Sequence, residues 1–229
     1  MLSISDIDVC YGESQVIHHV SLDLPDGSAT AVVGRNGMGK STLLKSLIGM
    51  VPTRAGHISL DGRDIAGLPS YKRVQAGLAF VPQGRMIFSQ LTVEENILTG
   101  LETGRYAGIP DFIYHFFPVL REMKSRKGGN LSGGQQQQLA IARALVSKPK
   151  VLILDEPTEG IQPSIIKEIA RSLNALRAEL GIAILVSEQV LSFALEVADR
   201  VAVIDRGRIV RCDDKGSLDL EAVRSYLTV

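Results

Sequence analysis

Continuous apolar runs alternate with helical patterns along most of this chain, and together they predict an α/β fold. A helical period of apolar residues fills residues 165–180, directly before one of the runs. Runs of this kind are typical of strands buried on both faces, and strands separated by helices form parallel sheets that bind ligands at their carboxyl ends. The predicted strands cover residues 29–33, 78–81, 151–154, 183–186 and 201–204.

The first sixty residues follow a different pattern, in which apolar and polar positions alternate over short segments. Residues 2–9 and 16–24 carry apolar side chains on roughly one face, and the turn Pro25-Asp26-Gly27 follows them. Residues 57–60 end at a second turn, Asp61-Gly62. Alternation between closely spaced turns predicts half-exposed antiparallel strands. We therefore expect an N-terminal antiparallel β subdomain beside the α/β core.

The middle of the chain is helical in pattern and shows no evident strand. Thr92 with Glu95 three residues later is typical of a capped helix start. Apolar residues recur at helical spacing over residues 109–123 and again over residues 132–146. The predicted organisation is a single domain over residues 1–229, with the α/β core and its β lobe in 1–83 and 148–229 and an inserted helical subdomain in 84–147.

The composition narrows the functional classes. Hydrophobic residues make up 45% and charged residues 22% of the chain, as in ordinary globular domains. The 25 basic and 25 acidic residues cancel, so no basic excess indicates a nucleic-acid partner. The chain begins without a signal-peptide pattern, and no apolar run approaches the ~20 residues that span a bilayer. We expect a cytosolic protein unless a partner holds it at a membrane.

One stretch carries the clearest chemistry, because it fits the phosphate-loop motif G-x-x-x-x-G-K-[ST]. A predicted strand enters it and a helix with an apolar face leaves it. The glycines let backbone N–H groups wrap a phosphate, towards which the helix directs its positive end. Lys40 is predicted to reach the β- and γ-phosphates, and the Ser41 hydroxyl to bind Mg²⁺. The nine residues are Gly34, Arg35, Asn36, Gly37, Met38, Gly39, Lys40, Ser41 and Thr42.

Two carboxylates, Asp155 and Glu156, follow the apolar run at residues 151–154. The end of a buried strand is a costly place for charge unless the charge is paired or metal-bound. Because Mg²⁺ prefers carboxylate, hydroxyl and phosphate oxygens, Asp155 is predicted to face the ion. Glu156 is predicted to activate or orient the attacking water. An alternative is that the pair caps the following helix.

A second glycine-rich stretch, Leu131-Ser132-Gly133-Gly134-Gln135, precedes another predicted helix. A serine and two glycines before a helix form a second cradle for an anion. One nucleotide does not need two such cradles from one chain. A dimer in which each cradle serves the nucleotide of the partner explains both.

Taken together, these motifs resemble the ATP-binding subunits of ABC transporters in order and spacing. The resemblance rests on the phosphate loop, Gln83, residues 131–135 and residues 154–157, and it covers essentially the whole chain. It implies a P-loop ATPase that binds ATP and Mg²⁺ and pairs head to tail with a second ATPase subunit. It also implies membrane permease subunits as partners, a periplasmic solute-binding protein indirectly, and a peripheral location on the cytoplasmic face of the membrane.

The resemblance implies roles for single residues as well. Tyr11 matches the aromatic residue that stacks on adenine, and the signature residues match contacts to the γ-phosphate of the opposing subunit. Gln83 matches a glutamine that contacts Mg²⁺ and the attacking water. The implied nucleotide contacts are Tyr11, residues 34–42, Ser132, Gly133, Gly134 and Gln135. The implied metal set is Ser41, Gln83 and Asp155, and the implied catalytic set is Glu156, Gln83 and Gln189.

Two departures from the common family pattern suggest one branch. Gln162 stands where most members have an aspartate, and Gln189 where most have a histidine. Both resemble the ATPases of branched-chain amino-acid and urea importers. Residues 131–145 and 156–166 look most like the urea-transporter ATPase, with the amino-acid importer as the alternative. From another class, a non-transport ABC ATPase or a regulator without turnover also fits the motifs.

The resemblance further suggests a docking groove for a short cytoplasmic helix of the membrane subunit. Met86 and Phe88, just after Gln83, are candidates to line it. The aromatic residues within 109–117 are expected to form the core of the helical subdomain, with a place in the groove as the alternative.

Overall fold

A computed structural model describes residues 1–101 and 108–227 of the chain. The strands of these residues form two sheets, and the α-helices cover the larger sheet or form a separate helical section. The strands are β1 Leu2–Tyr11, β2 Ser14–Leu24, β3 Ala29–Val33, β4 Thr53–Leu60, β5 Arg63–Asp64, β6 Leu78–Val81, β7 Val151–Asp155, β8 Ala183–Glu188, β9 Arg200–Asp205 and β10 Arg208–Asp214. The helices are α1 Lys40–Leu47, α2 Ser70–Ala76, α3 Val93–Leu98, α4 Asp111–Phe116, α5 Pro118–Glu122, α6 Gly133–Leu145, α7 Pro163–Leu180, α8 Leu191–Val197 and α9 Leu220–Leu227.

The larger sheet has the order β10-β9-β3-β8-β7-β6, and it is parallel except for β10. The five predicted buried strands are confirmed. Every residue of β3 and β7 is buried, as expected for strands that are covered on both faces. Because β3, β8, β7 and β6 run parallel side by side, the segments that follow them meet at one edge of the sheet.

The edge strand β10 was not predicted. Its burial alternates irregularly between exposed and partly buried positions, and four of its seven residues are charged. It pairs antiparallel with β9 through the tight connection between Asp205 and Arg208. No residue of β10 is fully buried, so its sequence lacks the continuous apolar run that identified the other strands.

The smaller sheet confirms the antiparallel β subdomain, with the order β2-β1-β4-β5. Its apolar face packs against α1, so that Leu2 and Ile7 of β1 share one core cluster with Leu43 and Leu47. The helix that follows the phosphate loop is therefore held between the two sheets.

Arg73, on α2, fixes the other end of α1. Its side chain is 2% exposed, and it donates hydrogen bonds to the carbonyls of Ser46 and Leu47 at 2.8 and 2.9 Å, where α1 ends. It also donates to the carbonyls of Leu68 and Ala66. Burial lowers the pKa of this guanidinium, but four acceptors satisfy it. The last two carbonyls of α1, which have no partner within the helix, therefore receive hydrogen bonds from this one side chain.

The section between β6 and β7 is helical, as predicted, and among its described residues the only β-type pairing is an isolated bridge between Thr92 and Lys127. The capping box of Thr92 and Glu95 is confirmed. The single helix predicted over residues 109–123 is wrong, because α4 and α5 break at Phe117, whose ψ is 68°. Pro118 disfavours helical backbone in the residue before it. The boundaries 83/84 and 147/148 of the helical subdomain stay a prediction.

No helix among the described residues combines the length and the apolar character needed to cross a membrane.

Candidate nucleotide-binding site

The phosphate loop connects β3 to α1 and follows the course that its glycines allow. Gly37 and Gly39 have φ values of 78° and 108°, and Gly39 is the N-cap of α1. A side chain at Gly34 would overlap the carbonyl of Ile204, so the loop lies directly against β9. A cavity of about 220 Å³ opens above the loop. Its lining is Val16, Asn36, Gly37, Gly39, Lys40, Ser41, Thr42, Gln83 and Glu156.

Lys40 is almost fully buried at 4% exposure, and three oxygens surround its ammonium group. Nζ donates to the carbonyls of Gly34 at 2.8 Å and Arg35 at 3.0 Å. It also forms an ion pair with Oε1 of Glu156 at 3.1 Å. The lysine is thus oriented by its own loop and by a carboxylate from the end of another strand.

Asp155 is buried where β7 ends, and only one of its oxygens has partners. Oδ1 accepts hydrogen bonds from the hydroxyls of Ser41 at 2.9 Å and Ser187 at 2.7 Å. Oδ2 is buried and has no hydrogen-bond partner within the described part of the chain. A buried carboxylate oxygen without a donor, next to a serine hydroxyl, fits the oxygen ligands that Mg²⁺ takes.

Glu156 lies at the centre of the remaining polar residues. Besides Lys40, its carboxylate accepts from Nε2 of Gln83 at 3.3 Å and Nε2 of Gln189 at 3.0 Å. The same amide nitrogen of Gln189 donates to Oδ1 of Asn36 at 2.8 Å. The backbone of Glu156 has a φ of 46°, an uncommon conformation that is concentrated at functional sites. The predicted catalytic residues Glu156, Gln83 and Gln189 are thus brought into direct contact.

Met38 of the phosphate loop contacts the turn that follows β9. The carbonyl of Met38 accepts from the N–H of Gly207, and its sulfur accepts from Arg206. Tyr11 is half exposed at the end of β1. It does not line the cavity, so the structure leaves its predicted stacking on adenine as a prediction.

The signature residues occupy a different place. Ser132 caps α6, and its capping box with Gln135 is complete. A side chain at Gly134 would overlap Ile165 of α7, so this glycine permits the close approach of two helices. Residues 132–135 do not line the cavity above the phosphate loop. Within the described part of one chain, the two glycine-rich cradles therefore do not share a site.

Two buried residues of β8 were missed by the sequence analysis. Ser187 donates to Asp155, and both its carbonyl and its hydroxyl accept from the N–H of Glu156. Glu188 is 2% exposed, and burial raises the pKa of its carboxyl group. A signal was present, because both polar residues directly follow an apolar run that was read as a buried parallel strand.

Comparison of the chain with known protein families and related proteins agrees with this geometry. A family model described as "ABC transporter" matches residues 17–159, which is more than half of the chain. The chain belongs to the ABC transporter family. Its relatives include the high-affinity branched-chain amino acid transport ATP-binding protein BraG of Pseudomonas aeruginosa, 42% identical over 221 residues that cover 95% of this chain and 94% of the relative. The probable branched-chain amino acid transport ATP-binding protein LivF of Archaeoglobus fulgidus is 40% identical over 91% of this chain and 90% of that protein.

Solved structures of ABC cassettes share the fold. The ADP conformation of an ATP-binding cassette of an ABC transporter superposes with a TM-score of 0.86 at 26% identity, covering 100% of this chain and 99% of the other. A nucleotide-free cassette gives a TM-score of 0.83 at 26% identity, covering 99% and 94%. These matches confirm the predicted P-loop fold. The chain is an ATPase of the ABC family, as its motifs predict.

Proposed function

We propose that this chain is the ATP-hydrolysing subunit of an ABC importer in the branched-chain amino-acid branch. The observation that carries the proposal is a connected set of polar contacts at the carboxyl edge of the parallel sheet. Lys40 and Glu156 pair where they line the cavity, Asp155 accepts from Ser41 of the same lining, and Gln189 donates to Glu156. The names of the two relatives support an amino-acid importer over the urea importer that the signature sequence suggests.

Nucleotide binding is assigned to the phosphate loop. Residues of the loop and of the start of α1 line the cavity, and Lys40 supplies the positive charge for the β- and γ-phosphates. Because Lys40 already pairs with Glu156, a bound phosphate takes the place of that carboxylate. Tyr11, exposed at the end of β1, is available to stack on adenine.

The residues that would hold Mg²⁺ are Ser41, Asp155 and Gln83. The unpartnered Oδ2 of Asp155 supports this assignment, since a buried anionic oxygen needs a cation or a donor. When bound, the ion neutralises charge on the phosphate oxygens.

Glu156 is assigned as the base or orienting group for the attacking water. Once phosphate holds Lys40, the carboxylate loses its cation and is free to accept a proton or a hydrogen bond from water. Gln189 directs an amide N–H into the same space and serves as a hydrogen-bond donor. Unlike the histidine found in most members, it cannot carry a proton as an imidazolium.

The site is half of a complete one. Ser132, Gly133, Gly134 and Gln135 lie away from the cavity of their own chain, which supports a head-to-tail dimer in which they meet the γ-phosphate of the partner's nucleotide. The second ATPase subunit is either another copy or a different chain. A non-transport role is not supported by the two relatives, which are both named for transport.

An apolar groove supports association with a permease subunit. Met86 and Phe88 are 67% and 51% exposed, and they line a depression of about 480 Å³ together with Arg143. Gly84, Arg85 and Met86 all have positive φ, and Arg143 donates to the carbonyls of Arg85 and Met86. In contrast, Phe116 and Phe117 are buried in the core, so the aromatic residues of 109–117 are not assigned to the groove.

This groove would accept a short helix of a membrane permease, which would hold the ATPase at the cytoplasmic face of the membrane. A periplasmic solute-binding protein would deliver the solute from the other side. The ATPase subunit touches neither the solute nor that protein in this arrangement, so its own residues do not select the solute.

Reconstitution of the chain with its permeases and solute-binding protein tests the proposal. ATP hydrolysis is expected to rise when the binding protein carries leucine, isoleucine or valine, and to stay at the basal rate with urea. Stimulation by urea alone would favour the urea importer. Absence of ATP hydrolysis in the assembled complex would contradict the proposed function itself.

A further inference from the structure

Glu188 is a buried carboxylate to which neither the sequence motifs nor the mechanism above gives a role. It ends β8, directly before Gln189, and its side chain is 2% exposed. Burial raises the pKa of its carboxyl group, and hydrogen bonds from Thr158, Gln189 and Val190 partly lower it. A buried anion without a cation is costly unless several donors surround it.

The donors that surround Glu188 come from two loops. Oε1 accepts from the N–H of Thr158 at 3.1 Å. Oε2 accepts from the N–H groups of Gln189 at 3.0 Å and Val190 at 3.2 Å. Each oxygen therefore binds a different loop, and the loops follow β7 and β8.

These contacts close a ring that includes the proposed catalytic groups. Thr158 is two residues after Glu156, and Gln189 is the residue after Glu188. The side chain of Gln189 returns to Glu156 at 3.0 Å, which completes the ring. Nothing in this ring belongs to the phosphate loop or to the proposed metal ligands.

We propose that Glu188 is a positioning residue for ATP hydrolysis, which fixes the loop of Gln189 against the loop that follows Glu156. The proposal rests on the proposed function, since it assumes that the contact between Gln189 and Glu156 matters for turnover. Glu188 does not line the cavity above the phosphate loop, although it lines the adjoining one with Glu156 and Gln189. Both of its oxygens are already bonded to the two loops, so it acts through the residues that it holds.

A carboxylate is suited to this role because both of its oxygens accept hydrogen bonds. A glutamine of the same size has one acceptor and one donor, so its NH₂ group would face the N–H groups of one loop. Glu188→Gln therefore keeps the volume of the side chain but breaks one of the two contacts. Glu196→Gln is a matched control, because it makes the same change at an exposed position on the next helix, α8.

The first measurement is steady-state ATP hydrolysis by the assembled transporter. With Glu188→Gln, kcat is expected to fall by about 10- to 100-fold, in line with small misplacements of catalytic groups. KM for ATP and the affinity for a fluorescent ATP analogue are expected to stay within about twofold, because the phosphate loop is untouched. A kcat within about twofold of the wild type, or equal losses in kcat and nucleotide affinity, would overturn the proposal.

A double-mutant cycle separates positioning from general destabilisation. If Glu188 acts through Gln189, then Glu188→Gln together with Gln189→Ala is no slower than the slower single variant. Losses that multiply would show that Glu188 acts independently of Gln189.

Amide hydrogen exchange tests the ring without any turnover. In Glu188→Gln, exchange is expected to accelerate by at least about tenfold in one of the two loops, either at Thr158 or at both Gln189 and Val190. In Glu196→Gln it is expected to stay unchanged. Unchanged exchange at all three amides would overturn the proposal. If the wild-type complex does not hydrolyse ATP, the proposed function fails, while this measurement still decides whether Glu188 joins the two loops.

Discussion

Nζ of Lys40 lies 3.1 Å from Oε1 of Glu156, so the lysine assigned to the phosphates is paired with the carboxylate assigned to the water. Both side chains are buried, at 3% and 9% exposure, where an ion pair is only weakly screened. Phosphate and Glu156 therefore compete for one cation. Nucleotide binding and release of the base are expected to be one event.

Replacing Glu156 with glutamine tests both roles of this carboxylate, as the base in hydrolysis and as the competitor of phosphate for Lys40. ATP hydrolysis by the assembled complex is expected to fall by about 100-fold or more, because the base is lost. Affinity of the isolated subunit for ADP is expected to rise roughly fivefold, because Lys40 no longer has a competing anion. Titration calorimetry measures the affinity, with the exposed neighbour variant Glu159→Gln as the control. An affinity that is unchanged or weaker would contradict the competition.

Asp155→Asn tests the assignment of the metal ligand. The amide oxygen can still accept from Ser41 and Ser187, so the fold is expected to remain. The gain in ATP affinity on adding Mg²⁺ is expected to shrink by about tenfold or more, as when a ligand of a metal site is weakened. Titrations with Mg²⁺ and with EDTA measure it, and Asp205→Asn at the end of β9 serves as the control. An undiminished effect of Mg²⁺ would remove Asp155 from the metal set.

Arg73→Met tests the cap of α1. The substitution removes the Arg73 donor from four carbonyls, of which that of Ser46 keeps a hydrogen bond from the N–H of Gly49, and the free energy of unfolding is expected to fall by about 3 kcal/mol. Urea unfolding measures the change. Lys72→Met, on the exposed side of the same helix, is expected to change the free energy of unfolding by less than about 0.5 kcal/mol. Equal effects of both variants would show that the cap contributes little.

Met86→Glu tests the permease groove. A carboxylate in an apolar contact costs at least about 1.4 kcal/mol, so affinity for the permease is expected to drop by about tenfold or more. Affinity for ATP should not change, because Met86 does not line the nucleotide cavity. Co-purification with the permeases measures assembly. The comparably exposed Met50→Glu is the control, and loss of assembly in that variant too would argue against a specific groove.

The ion pair of Asp61 with Lys150 makes the stability of the fold depend on pH. Hydrogen bonds from Lys150 and from the amino group of Met1 lower the pKa of Asp61 from 3.8 to about 2. Since the pKa is lower in the folded state, the stabilisation is fully present above about pH 4 and is lost as the pH falls through about 2. Melting temperatures of wild type and Asp61→Asn are therefore expected to differ at pH 7 and to converge near pH 2.

The parts of the site that were predicted from the sequence are formed by residues that lie close together along the chain. The phosphate loop, the glycine-rich stretch before α6 and the acidic end of β7 each depend on residues within a few positions of one another. The contact of Gln189 with Asn36 spans 153 residues and exists only because β8 lies beside β3 in the sheet. Glu188 and Arg73 were missed for a related reason, since their partners are backbone groups of other elements.

The turn at Gly84, Arg85 and Met86 has a consequence for how a partner would dock. Two of its residues are not glycine and still have positive φ, a conformation that costs energy unless its surroundings hold it. Arg143 stabilises this conformation, because it donates hydrogen bonds to the carbonyls of Arg85 and Met86. The wall of the groove therefore has its shape before any helix enters it. Docking of a helix then loses little conformational entropy on the side of this chain.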